Sequence, residues 1–218
     1  MKFLFAILLV TAAAVVSAAE VKFPGRASTD RAALEAAAKN GTPKTRVLSR
    51  LRLAQIATPE QVDTYEKQAK LIDELCAEEK LDDPSLKYLI PLVSADGKTQ
   101  TWTVEGWHAA READDYREMW YLVNTGRSVR NVRAELGDAA LFERYKVLLT
   151  RYFPKYSPGV VSTALLYMER LLPAVEPVRA IADLTHINSR VELVAEKEPE
   201  RWKSVRKRMA RMLKAVAE

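Results

Sequence analysis

Apolar residues return every three or four positions through most of this chain, and that spacing constrains its fold more than any other feature. Val62, Tyr65, Ala69, Ile72 and Cys76 fall along one side of a helix, and Leu141, Tyr145, Leu148 and Tyr152 fall along another. One apolar stripe per helix is what a bundle needs. The punctuation between stripes is helical as well. Thr58-Pro59, Asp83-Pro84, Ser157-Pro158 and Glu198-Pro199 each set a polar residue before a proline, the pair that caps free N–H groups and uses a ring lacking one. Gly41, Gly126 and Gly137 stand where helices should stop, because glycine accepts the left-handed turn that closes a helix. Only seven glycines occur in 218 residues, too few for a protein made of tight β-turns.

The spacing predicts helices over 30–40, 43–57, 59–80, 105–124, 127–136, 138–153, 158–172, 177–196 and 199–216. The expected fold is therefore all-α: an up-and-down multi-helix bundle with short turns. One stretch departs from it. "YLIPLVSADGKTQTWTV" holds two β-capable runs around Asp96-Gly97, and the second alternates Gln100, Trp102 and Val104 with threonines. A small β-hairpin insertion near 88–104 is expected, with Pro91 confining its strand to an edge and the hairpin covering an opening in the core. "RYFPKYSP" at 151–158 and "RLLPAVEP" at 170–177 echo one another. Two copies are too few for a repeat architecture, so they read as two similar helix corners joining antiparallel neighbours.

At 48% hydrophobic residues the chain can bury a core without covalent staples. The expected organisation is a secretory signal peptide over 1–18, an extended tail over 19–28 and a single helical domain over 29–218. In "MKFLFAILLVTAAAVVSAAE", Lys2 supplies the basic start, Phe3 to Val10 and the alanines and valines after it the apolar stretch, and Val16-Ser17-Ala18 the small-residue cleavage site. Cleavage is expected after Ala18, with Ala19 as the second choice. The alternative is a retained anchor; the run is slightly short for a span and weakens into alanine. The expected location is secreted or lumenal, or membrane-anchored if the leader stays. Asn40-Gly41-Thr42 is a glycosylation sequon that agrees with this route, although Pro43 follows it directly.

Chemistry is sparse. A single cysteine, Cys76, allows no internal disulfide, and its spacing puts it on a core face as a small hydrophobe. The two histidines, His108 and His186, are too few for a multi-histidine metal site. His108 has Glu112 one turn on and Asp115 two turns on, a pairing common on solvated helices; an enzyme built on His108 with Glu112 is the weakest hypothesis. His186 reads as a satisfied helix histidine. No nucleophile elbow, C-x-x-C pair or glycine-rich phosphate loop occurs, so no enzyme, no cofactor and no metal are implied. Tyr116, Met119, Trp120 and Tyr121 read as core, and the adjacent "READDYRE" as a solvated, salt-bridged face.

The most pointed surface signal is the last helix. Trp202, Val205, Met209, Met212 and Val216 follow a seam spacing, while Arg201, Lys203, Arg206, Lys207, Arg208, Arg211 and Lys214 fill most of the remainder. Such a basic amphipathic helix packs its seam on the bundle and leaves its positive face outward, for an acidic protein partner or an anionic membrane surface. The candidate contact residues are those seven cations with Trp202. Nucleic acid is not expected. The excess of 34 basic over 29 acidic residues is mild, and no aromatic platform alternates with the cations. The sequence thus points to a non-enzymatic helical binding protein. The alternative is an accessory subunit of a large complex, anchored by its N-terminal helix.

Overall fold

The computed structural model describes residues 21–83, 86–89, 91–124 and 127–218; the leader, its cleavage site, Pro84 and Gly126 lie outside the described residues. The extended tail ends at Asp30, whose carboxylate accepts the Ala33 N–H at 3.0 Å and opens α1 (Arg31–Asn40). Thr42 caps α2 (Pro43–Ala57) in the same way, with Pro43 in the first turn, where its missing N–H leaves no bond unmade. Gly41 joins the two helices in extended geometry, φ −82°, and not through the left-handed turn expected of it. Its lack of a side chain serves close approach: a Cβ there would collide with Thr45.

The stretch expected as one helix over 59–80 is divided. Pro59–Gln61 forms a single 3-10 turn, and α3 (Tyr65–Glu78) starts afresh where the Thr64 hydroxyl accepts the Lys67 N–H at 3.3 Å. A good cap inside a helical pattern ends one helix and begins another. After α4 (Leu86–Leu89) come β1 (Leu92–Val93) and β2 (Gln100–Thr101), antiparallel with Leu92 opposite Thr101 and Val93 opposite Gln100. The hairpin is thus shorter than 88–104. Its turn spans more than Asp96-Gly97, and of that pair only Gly97 takes a positive φ, +72°. Asp96 instead accepts from the Ser94 hydroxyl at 2.6 Å and the Lys98 N–H at 3.0 Å.

Thr103 ends the hairpin by capping α5 (Val104–Glu112). The helix expected over 105–124 breaks at Asp114, φ +48°, and resumes as α6 (Glu118–Leu122). The acidic run is therefore not one solvated face. It is the corner that turns Glu118 inward, fully buried, with Asp115 and Arg117 paired and half-buried beside it.

The chain then runs through α7 (Arg127–Leu136), α8 (Asp138–Tyr152), α9 (Pro158–Leu171), α10 (Pro177–Ala195) and α11 (Pro199–Ala217). Gly137, φ +78°, separates α7 from α8 as a left-handed stop. The two echoing segments build matching corners. Each helix runs into a 3-10 turn, Phe153–Lys155 or Leu172–Ala174, and a side-chain cap, Ser157 or Glu176, opens the next helix on a proline. The result is an all-α bundle with a two-stranded hairpin.

The buried apolar side chains form two clusters. The larger joins α5 to α11 and includes Trp107, Phe142, Tyr145, Leu165 and Trp202, the last stacked on Phe153 at 5.4 Å between ring centroids. Met119 and Tyr121 belong to it, Tyr116 is half-buried at its edge, and Trp120 is half-buried with its ring edge-on to Trp102 and Tyr116. The smaller cluster holds Val47, Leu51, Val62, Ile72, Leu75 and Leu86, with Cys76 half-buried at its margin. Burial pushes the Cys76 thiol up from its ordinary value, which favours its protonated form.

Candidate interaction surface

Helix α11 begins at Pro199 and presents Trp202, Val205, Met209 and Met212 to α9 and α10, all buried, with Val216 half-buried one turn on. The seam read from spacing is the seam the fold uses. Trp202, proposed from sequence as a contact residue, is 5% exposed and part of the core.

The cations between the seam residues are mostly engaged within the chain. Arg201 meets Glu198 at 2.7 Å, Lys203 meets Glu200 at 3.2 Å and Lys214 meets Glu218 at 3.5 Å, all along α11 or its start. Arg206 crosses to Glu192 of α10 at 3.0 Å. Arg208 and Arg211 converge on Glu169 of α9 at 3.0 and 2.8 Å. The hydrogen bond from Arg211 holds the Glu169 carboxyl below the usual carboxylate range, and Coulombic attraction from both arginines adds to it. Lys207 is exposed and has no ion pair among the described residues. Seven cations thus face five glutamates, leaving a local surplus of two positive charges.

Exposed ion pairs of this kind are worth about 0–1 kcal/mol each, because water screens them and long side chains lose entropy in forming them. An incoming carboxylate can therefore exchange with Glu198, Glu200 or Glu218 at little cost. The doubly bonded Glu169 is the least exchangeable of the five, since two guanidinium groups hold it.

Helix α10 adds a feature that spacing did not single out. Its buried seam is Ala180, Leu184, Ile187, Val191 and Ala195. Off that seam stand Val178, Ile181 and Leu193, exposed by 73%, 36% and 57%, the large apolar side chains that face water among the described residues. The signal in the sequence is a helix with apolar residues outside its own stripe. Leu193 is the next residue after Glu192, which receives Arg206.

The remaining candidates resolve into structural contacts. His108 Nε2 lies 3.1 Å from Glu135 of α7, both partly exposed, so its observed partner comes from another helix and not from Glu112 on its own. His186 is exposed on α10, and its carbonyl accepts the Ser189 hydroxyl at 2.7 Å. Among the described residues no group of three His, Cys, Asp or Glu side chains could hold a metal ion. Asn40 is exposed at the end of α1, while the Thr42 hydroxyl of its sequon is engaged in capping α2. No helix among the described residues is long and apolar enough to cross a membrane. Compared with known proteins, the chain matches no family model, no curated protein and no solved structure.

Proposed function

We propose that this chain is a non-enzymatic binding protein of the secreted or lumenal space, and that its contact surface is the outer side of the helical pair α10–α11. The observation that carries this reading is that large apolar side chains are left in water at both ends of α10, Val178 and Ile181 near its start and Leu193 near its end, on a helix packed against the most basic helix of the chain. Apolar side chains that a monomer leaves in water gain about 25 cal/mol per Å² when a partner covers them. Cations at the rim add orientation and a faster encounter. The partner is a protein surface with apolar residues ringed by carboxylates, which would displace the weak intrahelical pairs of α11.

A photo-crosslinking residue placed at Leu193 or Lys207 tests the surface in the protein's native extract, with the same residue at Glu35 on α1 as control. One partner captured at the first two positions and not at Glu35, and lost on Val178→Asp with Leu193→Asp, is expected. Equal capture at Glu35 sinks the surface. Sequencing the mature N-terminus tests the location: Ala19 or Glu20 as first residue agrees with export and cleavage, whereas Met1 replaces the exported form with an anchored accessory subunit.

A further inference from the structure

A second site lies away from α10–α11, in a cavity of about 220 Å³ where α7, α8 and α9 meet. Its apolar lining comes from Leu141, Tyr145 and Leu171, all buried. Three arginines, Arg130, Arg133 and Arg170, stand around that lining. Arg133 is committed to Asp138, through Nε at 2.7 Å and a terminal nitrogen at 2.6 Å. Arg130 and Arg170 are exposed and form no ion pair among the described residues. Arg170 sits 5.9 Å over the ring of Tyr167, which also lines the cavity.

The unpaired arginines and the apolar lining make two demands that one ligand can meet. Two guanidinium groups without carboxylates supply charged donors in a fork that matches a carboxylate. The apolar lining asks for a hydrocarbon body. A cavity of about 150 Å³ holds benzene, so 220 Å³ has room for one ring and a short acid arm.

We propose that this cavity binds a small apolar carboxylic acid: the ring or short aliphatic body rests on Leu141, Tyr145 and Leu171, and the carboxylate meets Arg130 and Arg170. The site is independent of the α10–α11 surface, and either can fail alone.

Calorimetric titration of the full chain with 3-phenylpropionate and with its neutral amide, 3-phenylpropionamide, tests it. The acid should bind one-to-one with a dissociation constant below about 1 mM, and the amide about tenfold or more weaker. Arg130→Gln and Arg170→Gln should each weaken the acid about tenfold, with circular dichroism unchanged. The proposal is overturned by no saturable binding of the acid at about 1 mM, by equal affinity for acid and amide, or by arginine variants that bind as the parent does. Tighter binding of a peptide ending in phenylalanine than of the free acid overturns the small-molecule ligand in favour of a chain terminus. The comparison of acid with amide uses the unaltered protein, so it stands even if a variant fails to fold.

Discussion

The part of the molecule built from α1–α4 and the hairpin is held together differently from the part built from α5–α11. Among the described residues the first has six buried apolar side chains in its cluster and the second has twenty-six. Each part also buries a charged residue, and the two charges are satisfied in different ways. Arg52, 1% exposed, has no carboxylate among its hydrogen-bond acceptors in the described residues. It donates to the carbonyls of Ser28 at 2.8 Å, Ser94 at 3.0 Å and Ala95 at 3.1 Å, and to Gln55 at 3.3 Å. One guanidinium thus ties the tail and the hairpin turn to α2. Burial pulls the Arg52 pKa below its ordinary value, with Asp96 working against that. Glu118, fully buried, is instead an ion-pair member: it accepts the Trp107 indole N–H at 2.8 Å and a fork from Arg144 of α8. Where apolar area is scarce, directional bonds from one side chain position the chain. Where it is abundant, a buried pair orients elements that the core already holds.

Breaking the Glu118 pair should have the largest effect. Glu118→Ala leaves the Arg144 guanidinium and the Trp107 N–H without their acceptor, at a cost of about 3–5 kcal/mol in urea unfolding. Glu118→Gln, which keeps an acceptor for the indole, should cost less. A loss under about 1 kcal/mol for the alanine variant would mean that the large core does not need the pair.

Arg52→Met comes next. Three carbonyls lose their donor, and the expected cost is about 2–3 kcal/mol. Its signature is regional: amide exchange should speed up at Ser94 and Thr99, whose amides close the hairpin turn, while α8 and α9 stay protected. Uniform acceleration across both regions would erase the distinction between them.

Gly97→Ala sharpens the same point at smaller scale. The residue adopts φ +72° and an added Cβ would strike the Ala27 carbonyl oxygen, where the tail crosses the hairpin turn. A loss of about 1–2 kcal/mol is expected, again confined to the tail and hairpin.

Alkaline titration probes both regions without mutation. Burial pushes Tyr121, Tyr145 and Tyr156 of the larger cluster well above the usual phenol range, and Tyr65 of α3 up to about 12. An unfolded phenol ionises near 10. Folded values above that mean stability is whole below about pH 10 and falls as pH rises beyond it. Phenolate absorbance from these residues should therefore appear together with loss of the helical signal. Ionisation that precedes unfolding would show that the larger core admits water.

Much of the fold was legible because helix periodicity is local. The α8 and α11 seams, the prolines opening α2, α9, α10 and α11, and the two matching corners all follow from residues within four positions of one another. The breaks at Thr64 and Asp114 were less legible, because a cap competes with a continuing helix inside the same apolar pattern. On the surface, the positive residues of α11 could be named, but their partners could not. Glu169 lies 39 and 42 residues from Arg208 and Arg211. Val178, Ile181 and Leu193 look like core residues by type, and only the packing of α10 leaves them in water.

By itself the sequence determined the helical class, the buried seams of α8 and α11, the helix corners and the place of the hairpin, since backbone propensity, capping and periodicity act over a few residues. Only the tertiary structure decided that Arg52 and Glu118 are buried while Lys207 is exposed, and that Arg130, Arg170 and Tyr167 line one cavity. A charged residue looks the same in sequence whether water or protein will solvate it, and that choice belongs to segments far along the chain.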